Sequence, residues 1–165
     1  MRPLLRRTAL VGIALAAALG VASPASAGRD KPAGTLSIEN VGSSPILSWS
    51  WGISNTITIG SGSGGAGAGK VVLQDFNLTK RIDPLSTELT RAAATGAHYP
   101  EVVVSIPIGG PGSPFAVEYK LRPVFVSSIR QSGSEKESTE SVSLTYGAFQ
   151  QNIGTNSQFG FANDG

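Results

Sequence analysis

The stretch Gly62–Lys70 (GSGGAGAGK) carries residue types that could bind a nucleotide. Gly64, Gly69 and Lys70 fall at the spacing of a phosphate-cradling loop, and Gly62, Gly64 and Gly67 copy a dinucleotide fingerprint. Both chemistries need a helix directly after the glycines, because the free N–H groups at its N-terminus hold the phosphate. Here Lys70 is followed by Val71-Val72-Leu73, a strand-forming run, and Val71 stands where a magnesium-binding hydroxyl belongs. No βαβ unit surrounds the glycines. They read as a long, flexible connection between two strands, with Lys70 solvated at its end. No nucleotide or other cofactor is expected.

Other chemistry-bearing residues are sparse. His98 is the single histidine, so a multi-histidine metal site is excluded, and no G-x-S-x-G nucleophile elbow occurs. Asp75, Asp83, Glu118 and Glu140 are the carboxylates that a glycosidase-type acid–base pair would draw on. Glu118 alternates with apolar neighbours, which puts it on the polar face of a strand. Trp49 and Trp51 share one strand face and could stack on a sugar, but Leu47 and Ile53 extend the same stripe, so all four are assigned to the core. The absence of cysteine removes disulfides, thiolate metal sites and lipidated cysteine. No catalytic or metal residue emerges.

The N-terminus sets the compartment. Arg2, Arg6 and Arg7 precede an apolar run, Thr8–Ala22, and then Ser23-Pro24-Ala25-Ser26-Ala27 with small residues at Ala25 and Ala27. This is the pattern of a secretory signal cleaved after Ala27. The run is shorter than the roughly 20 residues that span a bilayer. A secreted, extracytoplasmic protein is expected, by the general secretory route ahead of the twin-arginine route that Arg6-Arg7 permits, with no stable membrane insertion after cleavage. Three of the 13 Lys+Arg residues leave with the signal, so ten basic face 11 acidic groups in the remainder. That balance gives no electrostatic footprint for nucleic acid.

Residues 28–165 read as one mainly β unit. Ile46–Ile53 alternates, Thr56–Ile59 continues extended, and the glycines follow. Val72, Phe76 and Leu78 share a face of Val71–Thr79, and Val102, Val104, Ile106 and Ile108 alternate. Phe115, Val117, Tyr119 and Leu121 form the next strand, where Pro123 predicts a bulge or an edge. Val124–Ile129 resumes it, Gln131–Thr139 reads as a loop, and Val142, Leu144 and Tyr146 mark a last strand. One helix is expected over Ser86–Thr95, capped by Ser86 and closed by Gly96. Short strands with a single helix point to a barrel or closed sandwich. The expected boundaries are a signal at 1–27, a short segment at 28–45, the barrel at 46–149 and a Gly/Asn/Gln-rich tail at 150–165.

Several blocks carry a resemblance. Leu47-Ser48-Trp49-Ser50-Trp51-Gly52-Ile53-Ser54-Asn55, then IGSGSGGAGAGKVVLQDFNLTKRID, resembles the Hcp family of type VI secretion tube proteins. The likeness continues through Ala94-Thr95-Gly96-Ala97-His98, Tyr119-Lys120-Leu121, Val126-Ser127-Ser128 and Thr139-Glu140-Ser141-Val142-Ser143-Leu144. It covers roughly residues 46 to 149. The resemblance implies an antiparallel β-barrel of two packed sheets with one short α-helix, assembled into hexameric rings that stack into a tube. It implies no enzyme activity and no cofactor. In that family the glycine-rich loop reaches toward neighbouring subunits, which makes Gly60, Gly62, Gly64, Gly65, Gly67, Gly69 and Lys70 the candidate subunit-interface loop. Two roles stay open: an exported structural or carrier protein, with secreted protein as its cargo, or a monomeric secreted binding module that has lost ring assembly.

Overall fold

Strands form where apolar side chains recur with period two. The computed structural model describes residues 31–56, 70–109, 115–154 and 157–162; the segment 1–27 and the glycines between 60 and 69 lie outside them. The strands are β1 (Gly34–Ile38), β2 (Gly42–Ser50), β3 (Ile53–Asn55), β4 (Val71–Leu73), β5 (Phe76–Arg81), β6 (His98–Tyr99), β7 (Val102–Pro107), β8 (Ala116–Gly133), β9 (Ser138–Ile153) and β10 (Ser157–Ala162). Helix α1 (Pro84–Thr95) joins β5 to β6. The order β9-β5-β2-β1-β7-β8 returns from β8 to β9, so six antiparallel strands close into a barrel. β10 lies beside β9, β6 beside β8, and β3 with β4 makes a separate two-stranded ribbon. The mainly β barrel with one short helix is the fold the sequence predicts.

The barrel is larger than the 46–149 expected. β1 and the start of β2 lie inside it, with Leu36 and Ile38 in the core. Asn40 turns the hairpin between them at φ 59, and the Val41 amide closes the turn on the Ile38 carbonyl at 3.1 Å. Gly34 has to be glycine, since a Cβ there would sit 2.5 Å from the Ser105 carbonyl oxygen. At the other end β9 runs to Ile153 and β10 pairs with it, so part of the expected tail is sheet.

Two long strands wrap the barrel, and the expected loop over 131–139 shrinks to a turn. β8 pairs with β9 from Val117↔Ile153 to Gly133↔Ser138, and the Ser134 amide bonds the Glu137 carbonyl across the tip at 2.8 Å. Pro123 produces no bulge against β9: the register runs unbroken from Arg122↔Ala148 to Val124↔Tyr146. Instead the buried phase changes on both strands at once, from Leu121 to Val124 and from Tyr146 to Phe149. Gly147 lies opposite Pro123, and a Cβ there would touch the proline ring at 3.4 Å. The neighbour of β8 also changes there, from β7 to β6, so the missing N–H falls at a junction in the ladder.

The helix starts earlier than expected. Asp83, not Ser86, is the N-cap; its carboxylate accepts the Leu85 amide at 2.9 Å, and Pro84 occupies the first turn. Ser86 completes a capping box by accepting the Asp83 amide at 3.0 Å. Gly96 closes the helix at φ 70, as its position predicts. Leu85, Leu89 and Ala92 are buried on the face turned to β8 and β2.

Candidate functional site

The assignment of Leu47, Trp49, Trp51 and Ile53 to one sealed core stripe requires correction. The register between β2 and β5 shifts between Ile46 and Ser48, a bulge at Leu47. One extra residue changes which side chains face inward. Ile46 takes the buried position, Leu47 drops out of phase, and Trp49 is 36% exposed. Trp49 and Trp51 do share a face: both rings lie against Tyr119, at 5.8 and 5.1 Å between centroids. Trp49 also stacks on Phe76, and Trp51 packs on Phe149 while donating its indole N–H to the Tyr146 hydroxyl. Burial, opposed by that hydrogen bond, pushes the Tyr146 phenol up to about 12. Ile53 falls beyond the end of β2, on the ribbon, and is 42% exposed.

The weighed carboxylates split into three environments. Asp75 accepts hydrogen bonds from Ser127 (2.8 Å) and Thr145 (2.7 Å), and Glu118 pairs with Lys120 at 3.4 Å. Asp83 and Glu140 are brought together, but around a cation. The fully buried Lys80 ammonium lies 2.8 Å from both carboxylates. It also donates to the Arg81 carbonyl and the Ser86 hydroxyl. Ser86 in turn donates to Glu140 at 2.8 Å, Gln131 donates to its other oxygen at 2.9 Å, and Ser44 donates to Asp83. Burial pushes the Asp83 carboxyl up, but hydrogen bonds from Lys80 and Ser44, the Lys80 charge and the Leu85 amide outweigh it, so its pKa is lowered. Every group in this cluster is paired with another, so it joins β5, β9, β2 and the start of α1 rather than offering a free acid or base.

Sequence reasoning passed over Lys80, although the pattern held a signal. Lys80 is in phase with buried Phe76 and Leu78, and Glu140 is in phase with buried Val142 and Leu144. A cation and an anion on the apolar faces of two strands imply each other, because a buried charge needs a partner. The pairing Lys80↔Glu140 sets them opposite. His98 is exposed on β6, its ring 5.4 Å from Phe125. Among the described residues no group of three His, Cys, Asp or Glu could hold a metal.

What remains is a surface. The β3–β4 ribbon pairs Ile53↔Leu73, Ser54↔Val72 and Asn55↔Val71. Its base is fixed by the Gln74 amide on the Gly52 carbonyl at 3.1 Å. Opposed residues share a face, so exposed Ile53 and Val72 (49% exposed) point to opposite sides of the ribbon. Lys70 is exposed at the ribbon's outer end.

Comparison with known proteins agrees with this architecture. The family model described as "Type VI secretion system effector, Hcp" matches residues 37–153, more than half of the chain. Protein hcp1 of Pseudomonas aeruginosa is 37% identical over 86 residues, 49% of this chain and 52% of that protein, so the match spans about half the length of this curated relative. Among solved structures, Hcp1 from Salmonella typhimurium aligns with a TM-score of 0.64 at 23% identity, over 80% of this chain and 95% of that one. A type VI secretion system effector from Yersinia pestis aligns with a TM-score of 0.60 at 15% identity, over 78% and 96% of the two chains. These two likenesses concern the fold. With the family match over residues 37–153 and the closed barrel that carries it, the chain belongs to the Hcp family of type VI secretion proteins.

Proposed function

We propose that this protein is exported through a signal cleaved after Ala27 and acts as a non-enzymatic structural or carrier subunit of the Hcp type, assembling into hexameric rings outside the cytoplasm. The observation that carries this reading is the β3–β4 ribbon. A two-stranded ribbon is marginally stable by itself, and this one keeps Ile53 and Val72 exposed on its two faces. A neighbouring subunit would cover both, as apolar residues at the centre of an interface are covered. The glycines between 60 and 69 and Lys70 continue from the ribbon and form the interface loop of this reading.

The test is the native mass of residues 28–165. A ring gives about six times the single-chain mass, and Ile53→Lys with Val72→Lys reduces it to one chain while the barrel stays folded. A wild-type protein that remains a single chain overturns the ring and supports the second role, a monomeric secreted binding module. N-terminal sequencing of the secreted material is expected to begin at Gly28; a start at Met1 overturns export by the signal.

A further inference from the structure

We propose that the free edge of β10 adds the β10 strand of a second copy, antiparallel across a two-fold axis, forming a contact separate from the ribbon. β10 is held by β9 on one side, from Ser157↔Ile153 to Ala162↔Ala148, and takes no other strand among the described residues. In an antiparallel ladder alternate residues turn their N–H and C=O away from the first neighbour, so this edge presents a row of groups that another strand can bond.

Natural edges are usually blunted by charge, proline, bulges or shortness. The opposite end of the sheet shows such protection, because β6 is only two residues long and is followed by Pro100. β10 has none of these devices. It is six residues, SQFGFA, and no Asp, Glu, Lys or Arg occurs anywhere from Ser141 to Asn163.

The chemistry selects a second copy as occupant. A two-fold axis normal to the sheet at residue 159 sets that residue against its own copy. It also repeats every charge of the strand on both sides of the contact, so a strand with net charge would repel its partner. A charge-free strand is the case that tolerates this. Gln151 and Phe149 lie opposite Phe159 and Phe161, so these two phenylalanines share one face of β10. Phe161 packs on the core, whereas Phe159 keeps 57% exposure with its ring 5.9 Å from Phe149. The register centred on residue 159 sets Phe159 against its own copy. This forms an aromatic cross-strand pair, and Gly160 beside it offers no side chain to obstruct it. β10 lies beyond the family match, which ends at 153.

A charge exchange at residue 159 tests the inference on residues 28–165. The wild type should show concentration-dependent doubling of whatever unit it forms, single chain or ring. Phe159→Lys and Phe159→Glu should each weaken that doubling by roughly tenfold or more, with the urea midpoint of the barrel unchanged. An equimolar mixture of the two variants should double again, because opposite charges then face each other. If Phe159→Lys failed to fold, Phe159→Thr, which keeps a strand-forming side chain and removes the aromatic pair, would serve, with loss of doubling as its readout. Absence of doubling in the wild type, doubling that survives both variants, or a mixture that stays undoubled overturns the proposal. Loss of the ring divides the mass by about six and loss of this contact by two, so the two failures are told apart.

Discussion

Replacing Lys80 by Met tests the buried cluster most directly. In the folded protein the ammonium is fully buried and lies 2.8 Å from both Glu140 and Asp83. Without it Glu140, 1% exposed, keeps only the Ser86 hydroxyl and the Gln131 amide, and no counter-charge. An uncompensated buried charge of this kind costs about 3–5 kcal/mol, a large part of a domain's stability of about 5–15 kcal/mol. Asp83, a quarter exposed in its side chain, can turn to water, so most of the loss falls on Glu140. Glu140→Gln should cost less, about 1–2 kcal/mol, because Lys80 keeps Asp83 and the hydrogen bonds to residue 140 survive in part. The double variant then decides the matter. With both charges gone, Lys80→Met combined with Glu140→Gln should be more stable than Lys80→Met alone, a coupling visible in a double-mutant cycle. Urea unfolding measures it: with a slope near 2 kcal/mol/M, a loss of about 4 kcal/mol moves the midpoint by about 2 M. Lys80→Met within about 1 kcal/mol of wild type, or two additive losses, would refute the reasoning.

The lowered Asp83 pKa makes a prediction in acid. Because the folded value lies below the ordinary 3.8, its stabilising contribution is complete above that value and is lost as pH falls from there through the folded pKa. Asp83→Asn should therefore flatten the fall of the urea midpoint below pH 4; an unchanged acid limb would count against it. At the alkaline end the Tyr146 value is raised to about 12, so its contribution is present below pH 10 and disappears between 10 and 12. Tyr146→Phe should remove that alkaline loss at a cost of about 1 kcal/mol at neutral pH, and should shift Trp51 emission by freeing its indole N–H. Trp51→Ala should cost about 3 kcal/mol and Trp49→Ala less, about 2 kcal/mol, since Trp49 keeps a third of its surface in water; calorimetry giving the reverse order would contradict the assigned bulge at Leu47.

Local pattern alone established the class of this protein. Alternation placed Phe76, Leu78, Val102, Val104, Tyr119, Leu121, Val142 and Leu144 on inward faces, because a side chain's face depends only on its place along its own strand. The valines after Lys70 excluded a phosphate loop for the same local reason, and Gly96 marked the helix end because few other residues adopt positive φ there. Everything set by a partner strand lay outside such reading. The bulge that moves Leu47 out of phase exists only in the register of β2 against β5. The simultaneous change of face at Pro123 and Gly147 requires two strands bending together. Asp83 displaced Ser86 as the cap because Lys80 and Ser44 hold its carboxylate at the helix start. Lys80 and Glu140, 60 residues apart in sequence, became one buried pair because β5 and β9 are neighbours in the closed barrel. Periodicity states which face a residue takes; closure of the barrel decides what it meets there.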